Sequence, residues 1–237
     1  MLPTAADTRA LGARPWSMTL VDGRPLYRHV LDRLTAAGVR EVAVCFGPYS
    51  EAVRDDLLAG LSVGTDASAE AAADTLTTAD GLRLHLGPAQ GGTGERWSWA
   101  LDRIGLRRVL LVHANAWSDI NPSELLAAHQ AAARPITVAL TETSTMVLAL
   151  DQAIRIVSEY RPGLFNTRVE AGMSVVEPEM FDTLRRPATF SRDLLLGARE
   201  QIHFHQHDGV CQTVNTAREA TLLLALAREH PGLFGEP

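Results

Sequence analysis

The sequence contains no lysine, and all 22 of its basic residues are arginine. Imine-forming enzymes and P-loop nucleotide sites both depend on the ε-amino group of a lysine, which a guanidinium does not replace. The absence therefore excludes Schiff-base chemistry and nucleotide binding of the P-loop type.

Cysteine is almost absent as well. Cys45 and Cys211 are the only two, and neither lies in a redox or metal-binding motif. A chain of 237 residues buries roughly 70 to 75% of its unfolded surface, so it needs neither disulfides nor a metal to fold. The sequence also lacks a G-x-S-x-G elbow, so nothing in it supports hydrolase chemistry.

Long apolar runs and an excess of positive charge are missing too. No run approaches the ~18 apolar residues of a membrane span, and no signal-peptide pattern is present, so we expect a cytoplasmic protein without a membrane partner. The net charge of -6 argues against a nucleic-acid partner, because such binding draws on clustered cations.

What the sequence does contain is an alternation of helical and strand patterns. Leu26 to Gly38 has apolar residues at helical spacing and ends at a glycine suited to a C-cap. Glu41 to Phe46 is an apolar, β-branched run that ends at Gly47-Pro48. Further strands are predicted at 82–86, 109–113, 135–140, 146–150, 154–158, 171–176 and 201–207. Further helices are predicted at 51–61, 95–104, 178–184, 192–200 and 217–229, and one that Asn121-Pro122 opens.

This alternation predicts an α/β fold in which a mixed, mostly parallel sheet carries helices on both faces. No linker or internal repeat divides residues 1–237, which predicts a single domain. The stretch Gly64 to Asp80 lacks a steady apolar period and is typical of a loop or a frayed helix.

Several segments in order carry a resemblance to a known family. They are Arg14-Pro15-Trp16 with Val21 to Leu26, then Gly91-Gly92-Thr93-Gly94, His113 to Asp119, Glu170-Ala171-Gly172-Met173, and Thr213 to Glu219. In order and spacing they resemble the sugar-1-phosphate nucleotidylyltransferases, which join a nucleoside triphosphate to a sugar phosphate and release pyrophosphate. The resemblance implies a Rossmann-like fold that binds a nucleotide or sugar phosphate at the carboxyl ends of its strands.

The resemblance also suggests ligand-binding residues. The glycine turn would lie against the base, Glu159 would bind sugar hydroxyls, and Arg161 is a substitute for a lysine that the family has nearby. Trp117 has two interpretations. It stacks on a ligand, or it belongs to the hydrophobic core, as large aromatic side chains more often do. The ligand-binding candidates are Gly91, Gly92, Thr93, Gly94, Trp117, Glu159, Arg161, Ala171 and Gly172.

The sequence departs from the family where its chemistry is concentrated. Compared with the family, residues 1–15 form a truncated, irregular N-terminus that lacks the glycine-rich phosphate loop. Trp16 stands where the family has a lysine. Asn115 and Thr213 stand where the family has the two aspartates that hold Mg²⁺. Because Mg²⁺ depends on carboxylate charge, we expect little metal site here, and Mg²⁺ as a cofactor only in an active enzyme.

Two functional hypotheses follow. The first is a non-catalytic or strongly impaired protein of this fold that binds nucleotides or sugar phosphates, or that regulates an active homologue or a homo-oligomer. The second is a working enzyme, either a transferase that uses Arg14, Arg161 and substrate-held Mg²⁺ or one rebuilt around His113, Asn115 and a histidine strand. The catalytic candidates are thus His113, Asn115 and Arg14.

The histidine strand has no counterpart in the resemblance. His203, His205 and His207 alternate along a predicted strand, so their side chains share one face. Three imidazoles on one face could hold Zn²⁺, and the alternative is an exposed polar face.

The missing first strand raises a structural question. In the family this strand lies in the middle of the sheet, and its loss would leave backbone groups of two neighbours unpaired. We expect that the neighbouring strands close up, that another segment takes the place, that a partner chain contributes, or that the coding sequence starts upstream.

Overall fold

The computed structural model describes residues 15–45, 50–61, 75–78, 80–87, 93–105, 107–143, 156–157, 167–184 and 198–234. The elements in chain order are β1 (Leu20–Val21), β2 (Arg24–Pro25), α1 (Leu26–Ala36), β3 (Glu41–Val44), α2 (Ser50–Leu61), β4 (Thr75–Thr77), β5 (Arg83–Leu86), α3 (Thr93–Ile104), β6 (Val109–Val112), β7 (Ala116–Ser118), α4 (Pro122–Ala132), β8 (Ile136–Thr143), β9 (Ile156–Val157), β10 (Thr167–Val176), α5 (Phe181–Leu184), β11 (Ile202–His207), β12 (Cys211–Thr213) and α6 (Ala217–Glu229). Short 3₁₀ turns lie at Trp16–Met18, Pro178–Met180, Arg199–Gln201 and Pro231–Leu233.

Two helices begin directly after a side chain that caps them. The side chain of Asn121 accepts a hydrogen bond from the Ser123 amide and caps α4, whose first residue is proline. The side chain of Thr216 caps α6 by accepting from the Glu219 amide at 3.2 Å. These caps confirm the predicted start of α4 and the predicted helix at 217–229. The predicted helix at 192–200 lies mostly outside the described residues, and its described end is a 3₁₀ turn.

The longest sheet is mixed. Its strand order is β11-β8-β10-β6, with β9 paired to β10. The strand β11 runs parallel to β8, whereas β10 runs antiparallel to both β8 and β6. Three of these four strands therefore share one direction, and β10 is inserted between two of them in the opposite direction.

The remaining strands form smaller sheets. The strand β3 is parallel to β5, and β4 is antiparallel to β5. The pairs β1-β2 and β7-β12 are antiparallel ribbons.

The mixed α/β fold is confirmed, but the predominance of parallel pairing is wrong for the described residues. Two of the eight strand pairs are parallel and six are antiparallel. The reason is the reversed direction of β10, which makes antiparallel pairs on both sides, together with the short ribbons. Within the predicted loop at 64–80, residues 75–77 form a strand instead of a loop.

Helices cover both faces of the sheet. On one face Leu34 of α1 packs with Val44 of β3 and Val112 of β6. On the other face Trp97 of α3 packs with Val109 and Leu111 of β6. Alternate residues of β6 thus enter different hydrophobic clusters, as the pleat of a strand buried on both faces requires. None of the helices in the described part of the chain is long and apolar enough to cross a membrane.

The strands β3 and β6 each end a sheet, and no described strand lies between them. Residues of both strands line one cavity of about 270 Å³. Within the described residues, the two strands have neither closed up into one ladder nor received another segment.

Candidate functional site

The candidate site is a pair of chain segments at the carboxyl end of β6. The turn that follows β6 contains His113 and Asn115, and the amide of His113 donates to the carbonyl oxygen of Gly172 at 2.9 Å. This bond joins the turn to β10. The structure therefore brings together His113, Asn115, Ala171 and Gly172, four of the residues that the sequence analysis selected.

Asn115 is fully buried and binds the segment after β12. Its Nδ2 atom donates to the carbonyl oxygen of Val214 at 3.0 Å and to Oδ1 of Asn215 at 2.9 Å. Its Oδ1 atom is buried without a described hydrogen-bond partner. The side-chain amide of Asn115 therefore connects the turn after β6 to the segment after β12.

Thr213 lies beside Asn115, as the resemblance requires of the two metal positions. In the ribbon β7-β12, Thr213 is directly opposite Ala116, the residue after Asn115. The two positions thus meet in space, but they offer a hydroxyl and a buried carboxamide instead of two carboxylates. Mg²⁺ takes oxygen ligands and relies on carboxylate charge, so these residues do not fit a magnesium site. In the described part of the chain, no three histidine, cysteine or acidic side chains converge on a possible metal position.

Glu170 on β10 is an acidic residue beside His113. Its Oε1 atom lies 3.7 Å from Nε2 of His113, and both side chains are at least four-fifths buried. Burial, and after it the charges of Glu170 and Asp119, raise the pKa of the neighbouring Cys211 thiol to about 12. A thiol with so high a pKa is neutral at physiological pH, the form that is not nucleophilic.

Gly172 permits the close approach of β10 to the turn after β6. Its φ is +78°, and a Cβ atom at this position would lie 2.6 Å from Cβ of Ala116. The register of β10 shifts between Glu170 and Ser174, around this glycine. Only glycine meets both demands without strain.

Trp117 is part of the packed interior. Its side chain is 1% exposed, its ring lies 4.5 Å from that of Phe234, and the Arg33 guanidinium covers it at 5.2 Å. Trp16 belongs to the same hydrophobic cluster. Trp117 thus lies in the hydrophobic core, which was the alternative to stacking on a ligand.

The three alternating histidines lie on β11, as predicted. The side chain of His207 is bound to another residue, because its Nε2 atom donates a hydrogen bond to Oδ1 of Asp119 at 2.6 Å. Burial, and next the nearby His205 and His129, lower the pKa of His203. A zinc site on this strand remains a prediction, and the described side chains do not form one.

Several predicted site residues lie outside the described part of the chain. They are Arg14, Gly91, Gly92, Glu159 and Arg161. The backbone of Thr93 begins α3, and Gly94 is buried in the first turn of that helix.

Two structural residues near the site were not predicted. Asp119 binds His207 across 88 positions of sequence, a pairing for which the sequence offers no signal. Glu219 accepts a hydrogen bond from the Asn215 amide at 2.7 Å, while its own amide donates to Thr216. The pattern Thr-x-x-Glu is a capping box, so the sequence could have indicated this contact.

The overall fold is similar to those of solved sugar-nucleotide enzymes. HddC from Yersinia pseudotuberculosis has a TM-score of 0.69 and 11% identity, over 95% of this chain and 96% of that chain. A UDP-glucose pyrophosphorylase from Acinetobacter baumanii has a TM-score of 0.67 and 14% identity, over 99% and 94%. A candidate glucose-1-phosphate thymidylyltransferase from Bacillus anthracis, solved with a sucrose, has a TM-score of 0.66 and 12% identity, over 96% and 94%.

Comparison by sequence gives no further relative. No protein-family model matches the chain, and no curated protein matches it either. At identities of 10 to 14% the structural likeness shows the fold, a sugar-1-phosphate nucleotidylyltransferase-like α/β fold, and nothing about activity.

Proposed function

We propose that this protein is a non-catalytic or strongly impaired member of the nucleotidylyltransferase-like fold that binds a nucleotide sugar or a sugar phosphate. One observation carries the proposal: Asn115, which stands at the first metal position, is buried and uses its amide to hold the loop at Val214 and Asn215.

The electrostatics of the site support the loss of catalysis. Transfer to an α-phosphorus needs cations that neutralise the phosphates and carboxylates that place the metal. The chain has no lysine, and neither Asn115 nor Thr213 is an acid. Removing one preorganised charged group costs about 3 to 4 kcal/mol of transition-state stabilisation, so several such losses leave little rate.

The architecture supports retained binding. The turn after β6, the glycine at 172 and the largely buried pair His113 and Glu170 form a polar site at the strand ends. Open α/β sheets bind their ligands at such ends. Among the structural neighbours, HddC has been solved with GMP-PN and the Bacillus anthracis protein with a sucrose. Binding without turnover suits a sensor, or a regulatory partner of an active homologue.

Ligand-dependent stabilisation tests the binding. We expect the melting midpoint to rise with at least one of UTP, dTTP, GTP and UDP-glucose, because a ligand of the native state stabilises it. The rise should persist without added Mg²⁺ and shrink in Glu170→Gln. Glu179→Gln is the matched control, because Glu179 is exposed and lies outside the site. If none of these compounds shifts the midpoint or gives heat in calorimetry, the binding proposal is rejected.

Turnover tests the loss of catalysis. With UTP, dTTP or GTP and a panel of sugar 1-phosphates, we expect no pyrophosphate above the uncatalysed background, with Mg²⁺ or with Zn²⁺. Pyrophosphate release that Asn115→Ala abolishes would support the active-enzyme alternative instead.

A further inference from the structure

The helix α6 has apolar residues on two faces. Leu223 and Ala227 are buried in the hydrophobic cluster around Trp117, and Ala220 and Leu224 pack against this cluster. At about 100° of rotation per residue, these four side chains of α6 define the face that the helix turns toward the protein.

The opposite face of α6 carries a row of four side chains. Arg218, Leu222, Ala225 and Glu229 follow one another at steps of four, three and four residues, so they lie in line along the helix. Arg218 and Glu229 are exposed, Leu222 is 41% exposed and Ala225 is partly exposed. This row, which we call the outer stripe, thus has an apolar centre between a cation at one end and an anion at the other.

The two charges of the outer stripe lie at the helix ends where the helix dipole disfavours them. Arg218 is in the first turn, at the positive end of the dipole, and Glu229 is the last residue, at the negative end. The stability of α6 alone therefore gives no reason for this arrangement. Contact with a second helix of complementary charge gives one.

From this pattern we infer that the outer stripe packs antiparallel against the outer stripe of a second copy of this chain, about a two-fold axis. Arg218 of each copy then meets Glu229 of the other, and Leu222 of each copy packs on Ala225 of the other. Both pairs have the same midpoint, between Leu223 and Leu224, so one axis produces all four contacts. A parallel pair would place like charges opposite each other instead.

The sizes of the side chains suit this contact, and its small extent limits its strength. Ala225 leaves space for Leu222 of the other copy, as in the knobs-into-holes packing of paired helices. The helix has 13 residues. A contact made by one helix of this length is smaller than the ~1,200 to 2,000 Å² of a stable interface. We therefore expect a weak, reversible dimer, with a dissociation constant on the order of 10 to 100 µM.

Sedimentation velocity on the intact protein tests the apolar centre of the stripe. Over concentrations from about 1 to about 500 µM, which bracket the expected dissociation constant, we expect a shift from monomer to dimer. Leu222→Gln should weaken the association about tenfold, because both copies lose an apolar contact. Leu126→Gln is the matched control, since Leu126 is an exposed leucine on α4 and should not affect the dimer.

Charge exchange tests the orientation. Arg218→Glu alone or Glu229→Arg alone creates two like-charged pairs in the antiparallel dimer and should weaken it several-fold. The two substitutions together restore opposite charges, so the double variant should associate nearly as the unmodified protein does. Neither substitution disfavours the helix, because each one matches the charge to the dipole, and circular dichroism checks that the fold is retained. Arg103→Glu, at an exposed position on α3, controls for the change in net charge.

Three outcomes overturn the inference. The first is a protein that stays monomeric at every concentration. The second is a dimer that Leu222→Gln leaves intact, which would place the contact on another surface. The third is a dimer that neither single charge variant weakens, or that the double variant does not recover, which would exclude the antiparallel pairing. Ligand binding at the carboxyl end of β6 is measured separately, so the proposed function and the dimer are tested independently.

Discussion

Asn115 and Val214 bind each other twice. The amide of Val214 donates to the carbonyl oxygen of Asn115 at 2.8 Å, and Nδ2 of Asn115 donates to the carbonyl oxygen of Val214 at 3.0 Å. This reciprocal pair locks the turn after β6 to the segment after β12. The side chain of Asn115 thus has a structural role that depends on its amide donor.

Asn115→Asp, which restores the acid found in the family, should destabilise the protein instead of creating a metal site. A carboxylate has no donor for Val214 or Asn215, and it would place a charge where the side chain is fully buried. We expect a loss of about 2 to 5 kcal/mol in the free energy of unfolding, measured by urea denaturation at pH 7. Mg²⁺ should not recover the loss. A stable variant whose melting midpoint rises with millimolar Mg²⁺ would contradict our reading of this site.

Gly172→Ala should destabilise the protein by about 2 to 4 kcal/mol, because two penalties combine at this position. Its φ of +78° is unfavourable for alanine, and the new methyl group would overlap Cβ of Ala116. Urea denaturation measures the difference from the unmodified protein.

Gly23 separates the two penalties. It has the same φ of +78°, but a Cβ atom there would meet nothing within 4 Å. Gly23→Ala should therefore cost only about 1 kcal/mol, the backbone term alone. Equal losses in the two variants would show that the contact with Ala116 is unimportant.

The parts of the fold that the sequence predicted well are those with local signals. The start of α4 follows from Asn121-Pro122, and the strand and helix segments from 26 to 61 follow from short-range apolar spacing. These features depend on neighbours within a few residues, so a single sequence contains the information.

The parts that could not be predicted depend on distant pairing. The ribbon β7-β12 joins strands of three residues that are more than 90 positions apart, and each is too short for a periodic signal. The direction of β10 is likewise set by its neighbours β6 and β8. At the site, the identities of residues 115 and 213 indicated that the two acids of the family are absent. The hydrogen bond by which Asn115 holds Val214 is visible only in the fold.

Glu177 should contribute stability that is lost in acid. Burial alone would raise its pKa, but hydrogen bonds from His129 and Arg108 outweigh burial and lower it. A carboxyl with a lowered folded-state pKa stabilises the protein above its ordinary value of 4.5, and the contribution disappears as the pH falls through the lowered pKa.

Glu177→Gln tests this contribution. We expect a loss of about 1 to 2 kcal/mol at pH 7, because a buried histidine loses a charged acceptor. The difference from the unmodified protein should shrink as the pH falls below 4.5. The exposed Glu179→Gln should show neither effect. A difference that stays constant from pH 7 to pH 3 would exclude an ionised Glu177 as its source.

His203 should produce a pH dependence of the same sign in a higher pH range. Burial, and next the charges of His205 and His129, lower its pKa from the ordinary 6.5, so the folded protein resists its protonation. Between 6.5 and the lowered pKa, the unfolded chain binds more protons than the folded one, and stability therefore falls as the pH falls. His203→Gln removes the titrating group and should flatten the dependence of unfolding free energy on pH just below 6.5. The exposed His230→Gln is the control and should leave the slope unchanged. Urea denaturation at closely spaced pH values measures both slopes, and an unaltered slope in His203→Gln would assign the effect to other histidines.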